Sequence, residues 1–153
     1  MDSTHLFLNK NFLDKKSLHP YLVGGALPRL SFLNCNFENI SLVGNVFGSC
    51  SFRNCVFNDF NVRKGIFSGC HFENCKIVNA DMTRVEFDKT YFKNCEFLNV
   101  NLAFSDFDCC QLETTRFFKS NLNLIGVRNV QIWKSKKWIE IEDFSSFQQD
   151  FDE

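Results

Sequence analysis

Several residue types and motifs that often indicate a function are scarce or missing in this 153-residue chain. It contains two Pro, two Tyr and two Trp, and it has no apolar run long enough to cross a bilayer. It also lacks a Walker loop and the motifs G-x-G-x-x-G, H-E-x-x-H and G-x-S-x-G. The three His are scattered, with no Cys-x-x-Cys nearby, which argues against a zinc site. The sequence therefore predicts no enzymatic activity, no bound metal and no cofactor.

Charge is balanced in total, with 17 basic and 18 acidic residues and a formal net charge of −1, although the acidity lies mainly in the C-terminal tail. Such a balance gives no general attraction to nucleic acid or to an anionic membrane, so we expect neither as a partner. The N-terminus lacks the basic and apolar segments of a secretory signal. We therefore expect a cytoplasmic protein, whose eight Cys are reduced thiols rather than a disulfide framework.

The abundant residue is Phe, which occurs 20 times, and it follows a repeat of five. From Phe32 to Ile132 every fifth residue is apolar without a break, and we call these residues the centres. Neither the helical period of 3.6 nor the strand period of 2 fits this spacing. Two residues before each centre lies a second restricted position, the minus-two position, which holds seven of the eight Cys. The pattern predicts two inward and three outward residues in each group of five.

A longer period of twenty residues is superimposed on the first. Segments 31–35, 51–55, 71–75 and 91–95 each place Phe second and end in Asn-Cys. Four groups of five therefore make one turn of a square coil. Five such coils between residues 31 and 130, stacked at the strand spacing of about 4.8 Å, form a rod about 24 Å long.

This pattern resembles the pentapeptide-repeat proteins, whose unit is a small residue, Asp or Asn, a central Leu or Phe, a polar residue and any residue. Residues 80–84 (Ala-Asp-Met-Thr-Arg) and 120–124 (Ser-Asn-Leu-Asn-Leu) match it, and so do Ser-Asp-Phe at 105–107. The resemblance covers residues 30–132, although the second position is often Val, Ile, Lys, Glu, Tyr or Arg. It implies an all-β solenoid, a right-handed quadrilateral β-helix of about five coils with 20 residues per coil.

The register predicts that the centres stack into columns inside the rod. The structural core should contain Phe32, Phe52, Phe72 and Phe92 in one column, Phe37, Phe57, Phe97 and Phe117 in a second, and Phe47, Phe67, Phe87 and Phe107 in another. Stacked rings at the coil spacing fall in the offset-parallel range of aromatic pairs.

The Cys also form columns in this register. Cys35, Cys55, Cys75 and Cys95 lie above one another, and Cys50, Cys70 and Cys110 share a second column. A soft-metal or redox function is one interpretation, and the packing of a small buried residue is the other. We favour packing, because parallel side chains suit neither a disulfide nor a tetrahedral metal site.

Cys109 is predicted to face outward, which makes it the best candidate for a reactive thiol. Asn34, Asn54, Asn74 and Asn94 should form a structural column beside the first Cys column.

The ends of the chain do not follow the repeat, so we divide it into an N-terminal cap (1–29), a pentapeptide-repeat β-helix (30–132) and a C-terminal cap or association segment (133–153). The N-terminal cap is predicted to be helical or irregular. Both Trp of the chain, Trp133 and Trp138, lie in the C-terminal segment. The better-known members of the resembled family dimerise through their C-terminal ends, and this resemblance implies a homodimer through the same end.

Two outward surfaces are candidates for interaction. Glu86, Asp88, Asp106 and Asp108 share the fourth face, and Val78, Leu98 and Phe118 form an apolar column on the second.

We predict a non-enzymatic scaffold for protein–protein interaction with an unidentified protein partner. One alternative, implied by the resemblance, is a DNA mimic that binds topoisomerases and protects them from quinolones or toxins. Those members are longer and strongly acidic, whereas this rod is short and neutral. A thiol-based redox or metal-responsive protein is the other alternative.

Overall fold

The computed structural model describes residues 5–145, which wind into a right-handed quadrilateral β-helix of about five coils. The predicted fold is confirmed. Strands of successive coils pair in parallel, and from residue 31 onward each residue lies beside the one twenty positions later. No helix in the described part of the chain is long and apolar enough to span a membrane.

Each coil has four faces, which we number in chain order. Within residues 5–145, face 1 comprises the strands His5–Leu8, Leu30–Leu33, Ser51–Arg53, His71–Glu73, Tyr91–Lys93, Gln111–Glu113, Val130–Lys134 and Lys137–Ile141. Face 2 comprises Asn11–Phe12, Asn36–Glu38, Val56–Asn58, Lys76–Val78, Glu96–Leu98 and Arg116–Phe118. Face 3 consists of parallel bridges that link Ser41, Asn61, Asp81, Asn101 and Asn121. Face 4 comprises Ala26–Pro28, Val46–Gly48, Ile66–Ser68, Glu86–Asp88, Asp106–Asp108 and Gly126–Arg128.

The chain turns between faces at the residue two places after each centre, which we call the corner position. From Asn34 to Asn129 every corner residue has a positive φ, and for the non-glycine residues φ lies between 48° and 61°. Asn, Asp and Gly adopt this left-handed conformation more readily than other residues. The corner position therefore explains why Asn recurs every twenty residues, as at Asn54 and Asn74.

The twelve central Phe fill the interior, and none is more than 3% exposed. Their rings stack from coil to coil, with centroids 4.9 Å apart for Phe32 and Phe52 and 4.7 Å apart for Phe37 and Phe57. Neighbouring columns meet edge to face, as between Phe32 and Phe37 at 5.2 Å. The predicted Phe ladder is confirmed, and burial of each ring contributes about 1.5–3 kcal/mol.

Residues before 30 add a further turn to the coil. Phe7 stacks on Phe32, Phe12 stacks on Phe37, and Leu27 pairs with Phe47. A 3-10 helix, Lys15–Tyr21, takes the place of face 3 in this turn. The sequence division placed the start of the β-helix at residue 30, whereas strand pairing begins at His5 because the inward apolar positions continue on both sides of the helix.

At the other end, the last strand of face 1 turns back into an antiparallel hairpin, Val130–Lys134 with Lys137–Ile141. Phe144 then folds over the final coil and is 5% exposed. Its ring meets Phe107 at 5.2 Å and Phe117 at 5.6 Å. The predicted C-terminal segment, 133–153, is described as far as residue 145, and its remaining part lies outside the described residues.

Candidate interaction surfaces

The Cys columns have a hydrogen-bonding role that the sequence analysis did not identify. Cys75 Sγ donates to the carbonyl of Phe52 at 3.2 Å, and Cys95 Sγ donates to that of Phe72 at 3.4 Å. Thr115 occupies the next place in this column, and its hydroxyl donates to the Phe92 carbonyl at 3.2 Å. The predicted Cys stack is confirmed, and each Cys or Thr at the minus-two position links its coil to the carbonyl of a centre in the coil before. Ser105 instead donates to the Leu102 carbonyl in its own coil.

Several of these thiols are held in the protonated form, whereas a hydrogen bond with Cys70 lowers the pKa of Cys50. Burial raises the pKa of Cys110 to about 12. The neighbouring thiol of Cys75, together with burial, raises the pKa of Cys55, and Cys50 and burial do the same for Cys70. A protonated thiol can donate a hydrogen bond but is a poor nucleophile and metal ligand. Within residues 5–145, no group of three or more His, Cys, Asp or Glu is arranged to hold a metal ion.

Cys109 differs from the other seven because it occupies a corner position and is exposed. Its Sγ donates to Asp108 Oδ1 at 3.4 Å, and the Asp108 carboxylate raises the pKa of the thiol. The outward orientation agrees with the sequence prediction. The adjacent carboxylate makes this thiol less reactive near neutral pH than an ordinary surface Cys.

The four predicted carboxylates lie together on face 4. Glu86 is paired with Asp106, and Asp88 with Asp108, in adjacent coils. They line a shallow cavity of about 390 Å³ that is bounded by Arg128, whose Nε lies 3.7 Å from Asp108 Oδ2. The patch covers two coils, and one of its four charges is partly neutralised by this ion pair.

The predicted apolar column on face 2 is also present in register. Val78 pairs with Leu98, and Leu98 pairs with Phe118. Leu98 is 40% exposed, and the other two side chains are half-buried. In the coils nearer the N-terminus this column continues with the polar residues Asn58 and Glu38.

The C-terminal hairpin presents different chemistry on its two sides. Trp133 and Trp138 are partners in the hairpin register, with ring centroids 5.3 Å apart, and Trp133 is 41% exposed. Because side chains alternate along a strand, Ile132 and Ile139 lie on the opposite side. They help to line an open cavity of about 680 Å³ beside the end of the rod.

Asn side chains support the corners in addition to occupying them. Asn54 Nδ2 donates to Asn34 Oδ1 at 3.2 Å, and at the next corner Asn99 donates to Asn79 at 2.8 Å. These amide contacts agree with the structural role that the sequence analysis predicted for this column.

Comparison with known proteins supports the repeat. Residues 66–97 match the family described as "Pentapeptide repeats (8 copies)". No curated protein matches the sequence. Among solved structures, the chain is similar to full-length QnrB1, a plasmid-mediated fluoroquinolone resistance protein, with 11% identity, 96% of both chains covered and a TM-score of 0.48. It is also similar to the pentapeptide repeat protein Rfr23 from the cyanobacterium Cyanothece 51142, with 11% identity, 87% of this chain and 83% of that chain covered, and a TM-score of 0.37. Likeness at this level carries no inference about function.

Proposed function

We propose that this chain, whose residues 66–97 match the pentapeptide-repeat family, is a non-enzymatic scaffold that binds a protein partner on the outside of its rod. The centres and minus-two positions serve the interior, so recognition falls to the outward side chains. The observation that carries the proposal is the outward apolar column of Val78, Leu98 and Phe118 on face 2.

The surroundings of this column favour a protein surface as the partner. On the same three strands a parallel row of Lys76, Glu96 and Arg116 lies beside it, with charges of alternating sign. An apolar strip bordered by mixed charges has the composition of a protein–protein interface, with an apolar core and a polar rim. Alternating signs give no net attraction to a polyanion such as nucleic acid.

The test is capture of a partner from a lysate of the native host by the tagged protein and its Leu98→Asp variant. Asn58→Asp is the matched control, because Asn58 occupies the same column two coils closer to the N-terminus. We expect a protein that wild type and the Asn58→Asp variant retain and that Leu98→Asp loses. The retained protein is then purified and its binding to the same three forms is measured directly. Equal retention by all three folded forms would refute a role for this column.

The DNA-mimic alternative has one supporting feature, the carboxylates of Glu86, Asp88, Asp106 and Asp108. On the same face, however, the coil below presents Ile66 and Ser68, and the coil above presents Gly126 and Arg128. Duplex DNA carries one charge per about 1.7 Å along its axis, so a mimic requires a longer acidic surface. A gyrase supercoiling assay, with and without a quinolone, tests this alternative. Unchanged supercoiling in the presence of the protein would eliminate it.

We also propose that two copies associate through the C-terminal hairpin. The exposed Trp133 on one side of the hairpin and the cavity beside Ile132 and Ile139 on the other supply apolar surface at the end of the rod, as interfaces between copies require. Light scattering with size-exclusion chromatography should show a dimer that Trp133→Arg converts to a monomer. A monomeric wild-type protein at high concentration would contradict this part of the proposal.

A further inference from the structure

The turns between faces 3 and 4 differ from the other corners of the coil. The N–H of Gly65 donates to the Val62 carbonyl at 2.8 Å, and the same bond links Val85 to Met82 and Ser105 to Leu102. A bond of this kind around a third residue with positive φ is typical of a type II turn, which favours Gly or Asn at that residue. The third residues of successive turns are Gly44, Lys64, Arg84, Phe104 and Leu124.

Two of these residues adopt a backbone conformation that is energetically unfavourable for their residue type. Phe104 has a φ of 61° and is 51% exposed, and Leu124 has a φ of 55° and is 74% exposed. A non-glycine residue in this conformation costs about 1–3 kcal/mol, and such strain often marks a functional position. Burial offsets little of the strain, because the Phe104 side chain is half exposed and the Leu124 side chain is mostly exposed. An interaction outside the rod is one physical reason for large apolar residues at these turns.

Basic side chains lie next to them in the same corner. Arg63, Lys64 and Arg84 make no ion pair with any acid among residues 5–145. The Arg84 guanidinium carbon lies 5.8 Å from the centroid of the Phe104 ring. Together with Thr83, these four residues line a groove of about 340 Å³.

Asp81, an acid on face 3, is engaged within its own turn. Asp81 Oδ1 accepts hydrogen bonds from the backbone N–H and the hydroxyl of Thr83. The corner therefore combines three unpaired cations with two exposed apolar side chains. We name it the basic–apolar corner, defined by Arg63, Lys64, Arg84, Phe104 and Leu124.

We infer that the basic–apolar corner binds an extended segment of a partner protein that carries two acidic residues followed by a large apolar residue on one side. At about 4.8 Å per coil, the column from Lys64 to Leu124 spans about 14 Å. Alternate residues of an extended peptide lie about 6.8 Å apart, so positions one, three and five span a similar length. Carboxylates at positions one and three meet Lys64 and Arg84, and an apolar side chain at position five packs between Phe104 and Leu124.

The observations favour a peptide over single-stranded nucleic acid, although both can use cations beside an aromatic ring. Glu86 and Asp106 follow Arg84 and Phe104 by two residues and begin the acidic patch of face 4. A phosphate backbone longer than the groove would meet this negative charge, whereas a short peptide would not. The inference rests on the proposed function, a scaffold that binds a protein, and adds a second surface with defined partner chemistry.

The test is fluorescence polarisation with a labelled peptide of sequence Asp-Ser-Asp-Ser-Phe, titrated with the full-length protein to about 1 mM. We expect saturable binding that weakens with added salt and that is absent for Lys-Ser-Lys-Ser-Phe. Arg84→Glu should weaken binding at least tenfold. Lys89→Glu is the matched control, because Lys89 is an exposed corner cation in the same coil at the next corner, and it should leave binding unchanged.

Phe104→Asn separates binding from folding. Because Asn tolerates a positive φ, this variant should bind the peptide at least fivefold more weakly while its melting temperature stays the same or rises. A lower melting temperature would overturn the argument from strain. Unchanged peptide binding would overturn the assignment of the site.

Three further outcomes would also overturn the inference: no saturable binding of the peptide, equal weakening by Arg84→Glu and Lys89→Glu, or tighter binding of a labelled oligothymidylate at the same corner. The inference and the proposed function can fail separately. If the peptide does not bind but Leu98→Asp still loses a partner, the scaffold proposal stands and only the basic–apolar corner is wrong.

Discussion

Replacement of Cys75 by Ser and by Ala tests whether the Cys columns need sulfur or a hydrogen-bond donor. Cys75 is 1% exposed, and its Sγ donates to the carbonyls of Phe52 at 3.2 Å and Glu73 at 3.4 Å. Thr90 and Thr115, at equivalent minus-two positions, make the same pair of bonds through their hydroxyls. A small side chain that donates a hydrogen bond is therefore sufficient at the minus-two position.

The two substitutions should differ in magnitude. Ser keeps the donor, so we expect Cys75→Ser to cost less than about 1 kcal/mol. Ala loses a hydrogen bond worth about 1 kcal/mol, and removal of the buried sulfur adds about 1 kcal/mol. The sum for Cys75→Ala is about 2 kcal/mol, which corresponds to a fall in melting temperature of about 4–8 °C for a domain of this size.

Urea unfolding followed by circular dichroism measures these differences, with Cys109→Ala as the control for loss of an outward thiol. That control should change the free energy of unfolding by no more than about 0.5 kcal/mol. Equal losses for Cys75→Ser and Cys75→Ala would refute the donor argument. Rapid labelling of the buried thiols in the folded protein at neutral pH would also contradict it and would favour the redox alternative.

Three further predictions concern the core, the corners and the exposed thiol. Phe72→Ala should destabilise the protein by about 3–5 kcal/mol in the same urea assay, because it leaves a cavity between two stacked rings, and a loss below about 1 kcal/mol would contradict the continuous stack. Thr114 is a β-branched residue with a φ of 49°, so Thr114→Asn should raise the melting temperature by relieving about 1 kcal/mol or more of strain, and a fall would count against this. Cys109 should be alkylated faster as pH rises, with a midpoint above the ordinary thiol value, because Asp108 disfavours the thiolate. Asp108→Asn should shift that midpoint to lower pH, and an unchanged profile would exclude the carboxylate as the cause.

The interior could be predicted from the sequence because its rules repeat every five residues. A centre such as Phe57 has equivalent neighbours in the coils above and below, so spacing alone determined its stacking partners. The start of the coil was harder to predict for the same reason. Phe7 and Phe12 keep the spacing of five, but Leu27 follows fifteen residues after Phe12, where the equivalent centres Phe37 and Phe47 are ten apart. The 3-10 helix accounts for the added five residues, and a search for an unbroken series cannot detect them.

The outer surface was predicted in part. The register correctly placed Leu98 and its neighbours in one outward column, because side-chain direction follows from the repeat. It did not reveal the minus-two hydrogen bonds, since apolar residues such as Val85 occupy the same position. It also did not reveal that every corner adopts a positive φ. The frequent Asn at this position is a signal of that conformation, because Asn adopts a positive φ more readily than most residues.

These rules show where the outer sequence is informative about function. The interior fixes the centre and the minus-two residue of each pentapeptide, and the positive φ restricts the corner, which leaves two positions free. Leu98 occupies a free position, so its apolar character violates no structural rule. Phe104 and Leu124 occupy restricted corners, where Asn or Gly would stabilise the turn and a polar residue would suit the solvent. A substitution that removes this conflict and keeps the fold, such as Phe104→Asn, therefore discriminates more sharply between a binding role and a structural role than any change in the face 2 column.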